Sequence, residues 1–137
     1  MGPVKLKLNS VPALQPYALA ALRIVAGYMF LLHGTSKVFH IPDTGHGGAL
    51  DLHTLAGWSG VLELVGGALV LVGWFTRPAA FIVSGEMAFA YFIGHASHGN
   101  ALLPLVNRGE LAALYCFVFL FLAVAGPGAW SIDGRRR

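Results

Sequence analysis

Apolar residues run along this chain in four long stretches, which show neither the alternation of a half-buried strand nor the single stripe of a surface helix. The pattern predicts four membrane-spanning helices over residues 17–33, 55–75, 78–96 and 110–126. At about 1.5 Å per residue, the second stretch crosses a hydrocarbon core of about 30 Å by itself. The other three need flanking residues to do so, and interfacial or snorkelling side chains are tolerated there.

The composition agrees with a membrane protein. Of the 137 residues, 56% are hydrophobic and 11% are charged, whereas about a quarter of the residues in a soluble domain are charged. A soluble helical bundle is the alternative, but its helices would need polar faces that these stretches lack. No repeat or second domain is visible. We therefore predict one domain over residues 1–137, with the all-α fold of an integral-membrane four-helix bundle.

The basic residues indicate how the bundle is oriented. Cytoplasmic segments of membrane proteins carry an excess of Lys and Arg. One side of the predicted bundle has six such residues, namely Lys5, Lys7, Arg77, Arg135, Arg136 and Arg137. The other side has Lys37 and Arg108. Both termini are therefore predicted to be cytoplasmic.

Three charged residues, Arg23, Glu63 and Glu86, lie in the interior of the predicted spans, whereas Glu110 is the first residue of the fourth. In the interior of a span an unpaired charge costs at least a few kcal/mol. Counted from the cytoplasmic ends, Arg23 and Glu86 lie at depths of about 9 and 12 Å, and Glu63 at about 18 Å. Arg23 and Glu86 are therefore predicted to form a structural ion pair, with a functional role left open. Glu63 then has no cation nearby. It is expected to be a neutral carboxyl that donates or relays protons, or one that only hydrogen-bonds a neighbouring helix.

Small and polar residues accompany these charges. Gly60 and Gly67 share a helix face with Glu63, which indicates close approach of either a neighbouring helix or a flat ring. A face of the third span carries Ser84, Met87, Tyr91, His95 and, if the helix continues, His98. Such a stripe is typical of a helical core, but it would also suit a quinone head group or a proton exit path.

The motif His33-Gly34-x-x-Lys37 lies at the outer end of the first span. There the glycine is predicted to let the chain leave the helix. Lys37 is predicted to snorkel to the interface, and His33 to donate a hydrogen bond to a quinone carbonyl. The alternative is a capped helix end with interfacial polar residues.

Other cofactors and reactions have less support. His95 and His98 are spaced as two ligands of one metal ion could be, but the chain has no HExxH motif and no cysteine pair. Neither a stable metal nor haem is therefore expected. Cys116 is the only cysteine, which excludes an internal dithiol mechanism. The terminal arginines suit anionic lipid better than nucleic acid, so no nucleic-acid partner is expected.

Several short motifs follow one another along the chain. They are Arg23, His33-Gly34-x-x-Lys37, Glu63-x-x-Gly66-Gly67, Gly73, Thr76-Arg77, Asn107-x-Gly109-Glu110 and Gly126-Pro127-Gly128-x-x-Ser131-Ile132-Asp133. Together, over residues 23–133, they resemble the DoxX family. The resemblance implies a small, multi-pass protein of the bacterial inner membrane, built as a four-helix bundle. Relatives include subunits of thiosulfate:quinone oxidoreductase and membrane partners in oxidative-stress complexes, and many have no assigned activity.

From the residues and this resemblance, we predict a quinone-interacting membrane subunit of a redox or oxidative-stress complex. Glu63, His33 and His95 are the predicted catalytic residues. The predicted contacts to the quinone are Lys37, Tyr91, Met87, His98, Asn107 and Glu110. Electrons would come from a soluble or membrane redox partner, because the chain has no cofactor fingerprint of its own. The alternatives are a non-catalytic scaffold that recruits a soluble redox enzyme and a small-solute transporter, and a homo-oligomer is open in each case.

Overall fold

The computed structural model describes residues 8–45 and 48–135, and within them every regular element is helical. The helices are α1 (Gln15–Phe39), α2 (Leu55–Val72), α3 (Thr76–Ala90), α4 (Pro104–Asn107), α5 (Glu110–Ala125) and α6 (Ile132–Arg135). A 3-10 helix (Leu8–Leu14) precedes α1. A π-helical turn (Tyr91–His95) and a 3-10 turn (Ala96–His98) extend α3.

The long helices have the length and composition of membrane spans. Three segments are long and apolar enough to cross a bilayer, namely Ser10–Phe39, Leu55–Val72 and Thr76–His98. Helix α5 is a shorter apolar helix. The predicted all-α, integral-membrane four-helix bundle is confirmed. Lys5, Lys7, Arg136 and Arg137 lie outside the described residues, and the cytoplasmic placement of the termini stays a prediction.

The four long helices alternate in direction, so the bundle has two different ends. The termini end carries the start of α1, the turn between α2 and α3, and the C-terminus of α5. The loop end carries the end of α1, the start of α2, the turns that follow α3, and the start of α5.

Helix α1 does not end at His33, where the predicted span ends. It continues through Gly34 to Phe39, and His40 adopts a left-handed conformation with φ 57° after it. Gly34 is therefore not the residue at which the chain leaves the helix. Its role is close packing, because a Cβ at this position would lie 2.3 Å from the backbone nitrogen of Leu64.

Helices α1 and α2 approach each other backbone to backbone along a row of glycines. A Cβ on Gly27 would lie 2.7 Å from the backbone nitrogen of Leu71, and one on Gly67 would lie 2.7 Å from that of Leu31. Such small-residue interfaces are typical of packed membrane helices. The glycine face beside Glu63 is therefore occupied by a neighbouring helix and not by a flat ring.

The interior and the outer surface of the bundle are both apolar. Buried side chains that include Phe30, Val70, Val83, Phe119 and Leu122 fill the space between the helices. The outward faces carry exposed aromatic and aliphatic residues such as Phe81, Phe89, Phe117 and Val124. An apolar exterior of this kind fits a protein surrounded by lipid.

The predicted ion pair between Arg23 and Glu86 is wrong. Arg23 is fully buried near the termini end and donates hydrogen bonds to the carbonyl oxygens of Pro127, of Ala129 (3.0 Å) and of Trp130 (2.8 Å). The physical reason is that the chain turns back under the bundle at Gly126-Pro127-Gly128. This turn presents backbone carbonyls that no helix satisfies, and the guanidinium binds them.

Asp133 and Arg77 form further hydrogen bonds between segments at the termini end of the bundle. The carboxylate of Asp133 accepts hydrogen bonds from the backbone N–H groups of Phe75 and Thr76, both at 3.0 Å, and from the Thr76 hydroxyl at 2.8 Å. It thereby caps the N-terminus of α3, where a negative charge is favourable. Arg77 donates to the carbonyl oxygens of Ala123, at 3.4 Å, and Val124 at the end of α5.

Candidate functional site

Glu63 is paired with a cation inside the bundle. The ammonium nitrogen of Lys37 lies 2.9 Å from each carboxylate oxygen of Glu63. The glutamate side chain is 4% exposed and the lysine side chain 41% exposed, so the pair reaches from the interior toward the loop end. The expectation that Glu63 has no cationic partner is wrong. Lys37 becomes available because α1 continues past Gly34.

Ser59 connects this pair to Glu86. Its hydroxyl donates to Glu86 Oε1 at 2.7 Å and lies 3.4 Å from Glu63 Oε1. The Ser59 oxygen also accepts a hydrogen bond of 3.2 Å from the Lys37 ammonium group. Ser59 and Glu63 are one helical turn apart on α2, so their side chains meet on one face. We call these four residues (Lys37, Ser59, Glu63 and Glu86) the carboxyl cluster.

A cavity of about 290 Å³ lies beside the cluster toward the loop end. Its polar and polarisable lining residues are His33, Lys37, Glu63, Met87, His95, Arg108 and Tyr115. The remaining lining residues, Phe30, Ala90, Leu111 and Ala112, are apolar. We call it the loop-end cavity. His33, Lys37 and Arg108 are exposed, so they form its rim.

Tyr115 lines this cavity and carries an unpaired hydroxyl. The residue is 5% exposed, and its hydroxyl is buried without a hydrogen-bond partner among the described residues. Its ring contacts His33 edge to face, with centroids 6.1 Å apart. A buried hydroxyl without a partner is costly, and a small shift of the Tyr115 ring would bring it within reach of a group or water bound in the cavity.

A second concavity lies on the outside of the bundle between α2 and α3. It has a volume of about 670 Å³ and is lined mainly by apolar residues, among them Trp58, Leu62, Ile82, Phe89 and Ile93. Its polar lining residues are Ser59, Glu86 and His95. We call it the bilayer groove, because it opens on the lipid-facing side. The carboxyl cluster therefore lies between an apolar groove and a polar cavity.

The family model described as DoxX matches residues 18–96, which span α1 to α3 and all four members of the carboxyl cluster. The chain belongs to the DoxX family. The resemblance drawn from the motifs is confirmed. No solved structure matches this DoxX chain.

Three relatives cover nearly the whole DoxX chain. A protein of Haemophilus influenzae described as uncharacterized is 47% identical over 132 residues, which are 93% of this chain and 97% of the relative. Inner membrane protein YqjF of Escherichia coli is 28% identical over 88% of this chain and 92% of its own length. Inner membrane protein YphA of Escherichia coli is 30% identical over 90% of this chain and 93% of its own length.

The structure of this DoxX protein brings together five of the residues predicted from sequence to form the site. His33, Lys37, Glu63, Met87 and His95 all line the loop-end cavity. The imidazole Nδ1 of His95 lies 3.3 Å from the backbone oxygen of Asn107. Lys37 was predicted to extend to the membrane interface, but its ammonium group also binds Glu63.

Tyr91 and Asn107 do not line the cavity. The buried Tyr91 hydroxyl donates to the carbonyl of Ala101 and accepts from Asn107 Nδ2 at 3.0 Å. Asn107 also accepts from the backbone N–H of Gly109 at 2.8 Å. Both residues therefore brace the loop between α3 and α5. Tyr91 and His95 begin and end the π-helical turn, and of the two only His95 lines the cavity.

His98 and Glu110 also lie outside the cavity. Both are exposed, His98 on the 3-10 turn (Ala96–His98) and Glu110 at the start of α5. A contact between either residue and a ligand in the loop-end cavity is not supported by this geometry. Glu110 lines a shallow apolar depression on the surface of α5 instead.

Sequence reasoning missed Tyr115, Arg108 and Ser59 as site residues. Tyr115 lies in an apolar stretch where a tyrosine is indistinguishable from a packed aromatic residue. Arg108 was interpreted only as one of the two basic residues on the side opposite the termini. Ser59 carried a usable signal, because it precedes Glu63 by four residues and so shares its helix face.

Proposed function

We propose that this protein is the quinone-interacting membrane subunit of a redox or oxidative-stress complex in the bacterial inner membrane. Relatives named as inner membrane proteins support the location. The electrons would come from a redox partner protein that docks at the loop end, where the exposed rim of the loop-end cavity lies.

The unpaired hydroxyl of Tyr115 in the loop-end cavity carries this proposal. A quinone has two carbonyl oxygens that accept hydrogen bonds, and its reduction to a quinol takes up two electrons and two protons. Tyr115 and His33 supply donors on one side of the cavity. Glu63 supplies a group that exchanges protons, and Lys37 balances its charge.

The size of the cavity limits which part of the ligand it holds. Ligand pockets have volumes of about 300–1,000 Å³, and the loop-end cavity, at about 290 Å³, lies at the lower limit. It therefore suits a quinone ring and not its isoprenoid tail. The tail would lie outside the cavity among lipid.

The test is quinone binding by the full chain, purified in mild detergent. Mass spectrometry of the extracted protein should find quinone, and decylubiquinone should bind to quinone-depleted protein in equilibrium dialysis. Because one hydrogen bond contributes about 1 kcal/mol, Tyr115→Phe should weaken this binding about fivefold. Tyr28→Phe is the matched control, since Tyr28 is 53% exposed on the outside of α1.

The opposite result separates the alternatives. A protein that neither retains quinone nor binds decylubiquinone, yet still recovers a redox enzyme from detergent extracts, is a scaffold. Equal affinity of wild type, Tyr115→Phe and Tyr28→Phe would remove the assigned role of Tyr115.

A further inference from the structure

We propose that Glu86 is the protonated member of a carboxyl pair with Glu63, and that Ser59 relays its proton to Glu63. Glu86, first predicted to be a structural charge, would then be a proton reserve for the loop-end cavity. The pairing and the relay rest on geometry alone. Only the final acceptor of the proton, a quinone, rests on the proposed function.

The charges of the carboxyl cluster do not balance unless one proton is present. Lys37 contacts both oxygens of Glu63, whereas Glu86 forms no ion pair among the described residues. Two ionised carboxyl groups with one ammonium group would leave a net negative charge inside the bundle. Carboxylates that share a site disfavour double ionisation, so one proton neutralises the cluster.

The contacts of Glu86 identify it as the holder of that proton. Its Oε1 accepts the Ser59 hydroxyl, and its Oε2 is buried without a hydrogen-bond partner in the described part of the chain. An ionised oxygen without a partner beside apolar side chains is unfavourable by several kcal/mol. Protonation removes that charge. Glu63 Oε2 also has no hydrogen bond among the described residues, but it lies 2.9 Å from the Lys37 ammonium nitrogen, and this ion pair favours the charged form of Glu63.

The titratable groups around the cluster come from every element that packs there. Lys37 and His33 project from α1, and His95 lies at the end of the π-helical turn. Arg108 follows α4, and Tyr115 projects from α5. All five line the loop-end cavity on the side of Glu63. Of these, His95 also lines the bilayer groove.

Ser59 is the link through which Glu86 exchanges its proton. On its other side Glu86 faces the bilayer groove, which is lined mainly by apolar residues. The Ser59 oxygen lies 2.7 Å from Glu86 Oε1 and 3.4 Å from Glu63 Oε1. A hydroxyl can accept a proton from one neighbour while it gives its own proton to another.

The relay balances without any change in bonds between heavy atoms. Before the transfer, the Ser59 hydroxyl turns from Glu86 Oε1 to Glu63 Oε1, and the Glu86 carboxyl turns so that its protonated oxygen donates to Ser59 Oγ. Glu86 then gives its proton to the Ser59 oxygen as the Ser59 proton passes to Glu63 Oε1, which leaves Glu86 ionised and Glu63 neutral. Glu63 then gives the proton to a carbonyl oxygen of a quinone that receives electrons from the partner protein. Protons that enter at the loop end return along the same route to Glu86.

Infrared spectroscopy of the full chain in lipid nanodiscs, without quinone, tests the shared proton. Wild type at neutral pH should show the carbonyl stretch of a protonated carboxyl, and this band should shift on ¹³C-glutamate labelling and in D₂O. Glu86→Gln should remove the band, whereas Glu63→Asp, which keeps the second carboxylate beside Lys37, should retain it. Glu110→Gln is the matched control, because Glu110 is exposed and lies outside the cluster. Circular dichroism and gel filtration establish that each variant is folded.

The rate of hydrogen–deuterium exchange at the Glu86 band tests the relay. Because a positioned proton-transfer group contributes about 100-fold or more in rate, Ser59→Ala should slow this exchange about 100-fold. Ser59→Thr should restore it, since threonine keeps the hydroxyl. Ser84→Ala is the control, because the Ser84 hydroxyl donates to the carbonyl of Cys116 and not to the cluster.

Three results would overturn the proposal. They are the absence of the band in wild type, its persistence in Glu86→Gln, and wild-type exchange in Ser59→Ala. None of these measurements contains quinone. A protein that shows the band and the slowed exchange but binds no decylubiquinone would therefore refute the proposed function and leave the carboxyl relay standing.

Discussion

Lys37 and Glu63 form an ion pair that joins the last turns of α1 to the middle of α2, with the ammonium nitrogen 2.9 Å from each carboxylate oxygen. The pair exists because α1 continues beyond Gly34 and packs backbone to backbone on α2. It places a charged carboxylate in the wall of a cavity inside the bundle. The chemistry of the site therefore depends on how closely two helices pack.

Removal of Lys37 should leave a buried negative charge. Lys37→Met is expected to lower the free energy of unfolding by about 1–3 kcal/mol, less than for a fully buried pair because the lysine is partly hydrated. Thermal unfolding in detergent measures the change. The double variant Lys37→Met/Glu63→Gln should recover part of the loss, since the unpaired carboxylate is gone. A double variant less stable than Lys37→Met would show that the charge of Glu63 has another partner.

Glu63→Gln should leave the protein folded and remove its role in proton transfer. Under the proposed function, quinone reduction by the intact complex should fall by about 100-fold or more, as for loss of a positioned acid–base group. The measurement is quinol formation by complex reconstituted with each variant. Asp43→Asn, in the exposed loop after α1, serves as the control. Undiminished turnover of the Glu63→Gln complex would rule out the carboxyl as a proton donor.

Gly34→Ala should separate α1 from α2, because its Cβ would lie 2.3 Å from the backbone nitrogen of Leu64. We expect loss of stability and, because Lys37 lies three residues farther along α1, displacement of the ion pair. Thermal unfolding and the infrared band of Glu86 report the two effects. Gly85→Ala is the matched control, since nothing lies within 4 Å of the Cβ that it adds. It should be neutral or stabilise α3 by about 1 kcal/mol.

Arg23 and Glu86 should make independent contributions to stability. Arg23→Met leaves three backbone carbonyls without their donor and should cost about 1–3 kcal/mol for each buried group that stays unsatisfied. Glu86→Gln acts elsewhere in the bundle. The two effects should therefore add within about 0.5 kcal/mol in a double-mutant cycle of thermal unfolding. A larger coupling energy would show that Arg23 and Glu86 interact directly.

Asp133→Ala should remove the cap of α3 at the termini end. Loss of its bonds to Phe75 and Thr76 is expected to cost about 1–2 kcal/mol, measured by thermal unfolding. Asp133→Asn should lose less, because an amide oxygen still accepts a backbone N–H. The infrared band of Glu86 should be unchanged in both variants, since the carboxyl cluster lies away from the termini end.

The apolar stretches alone determined that this is an all-helical membrane protein, because a helix in lipid must satisfy its own backbone and show apolar side chains all round. The same reasoning identified Glu63 as a candidate site residue, since a carboxyl at that depth needs a partner. The order of the motifs also indicated the DoxX family. These conclusions depend on composition and on position along one helix, which the sequence contains in full.

The partners of the buried charges were decided only by the tertiary structure. Depth along a helix does not specify which face a side chain occupies or what lies opposite, so Arg23 and Glu86 at similar depths find different partners. Gly34 could end a helix or admit a neighbouring one, and only the packing of α2 on α1 distinguishes the two roles. Tyr115 and Ser59 became candidate site residues because the packing of the helices places them beside Glu63. Contacts between distant segments depend on relative rotation and separation of helices, which no single stretch of sequence encodes.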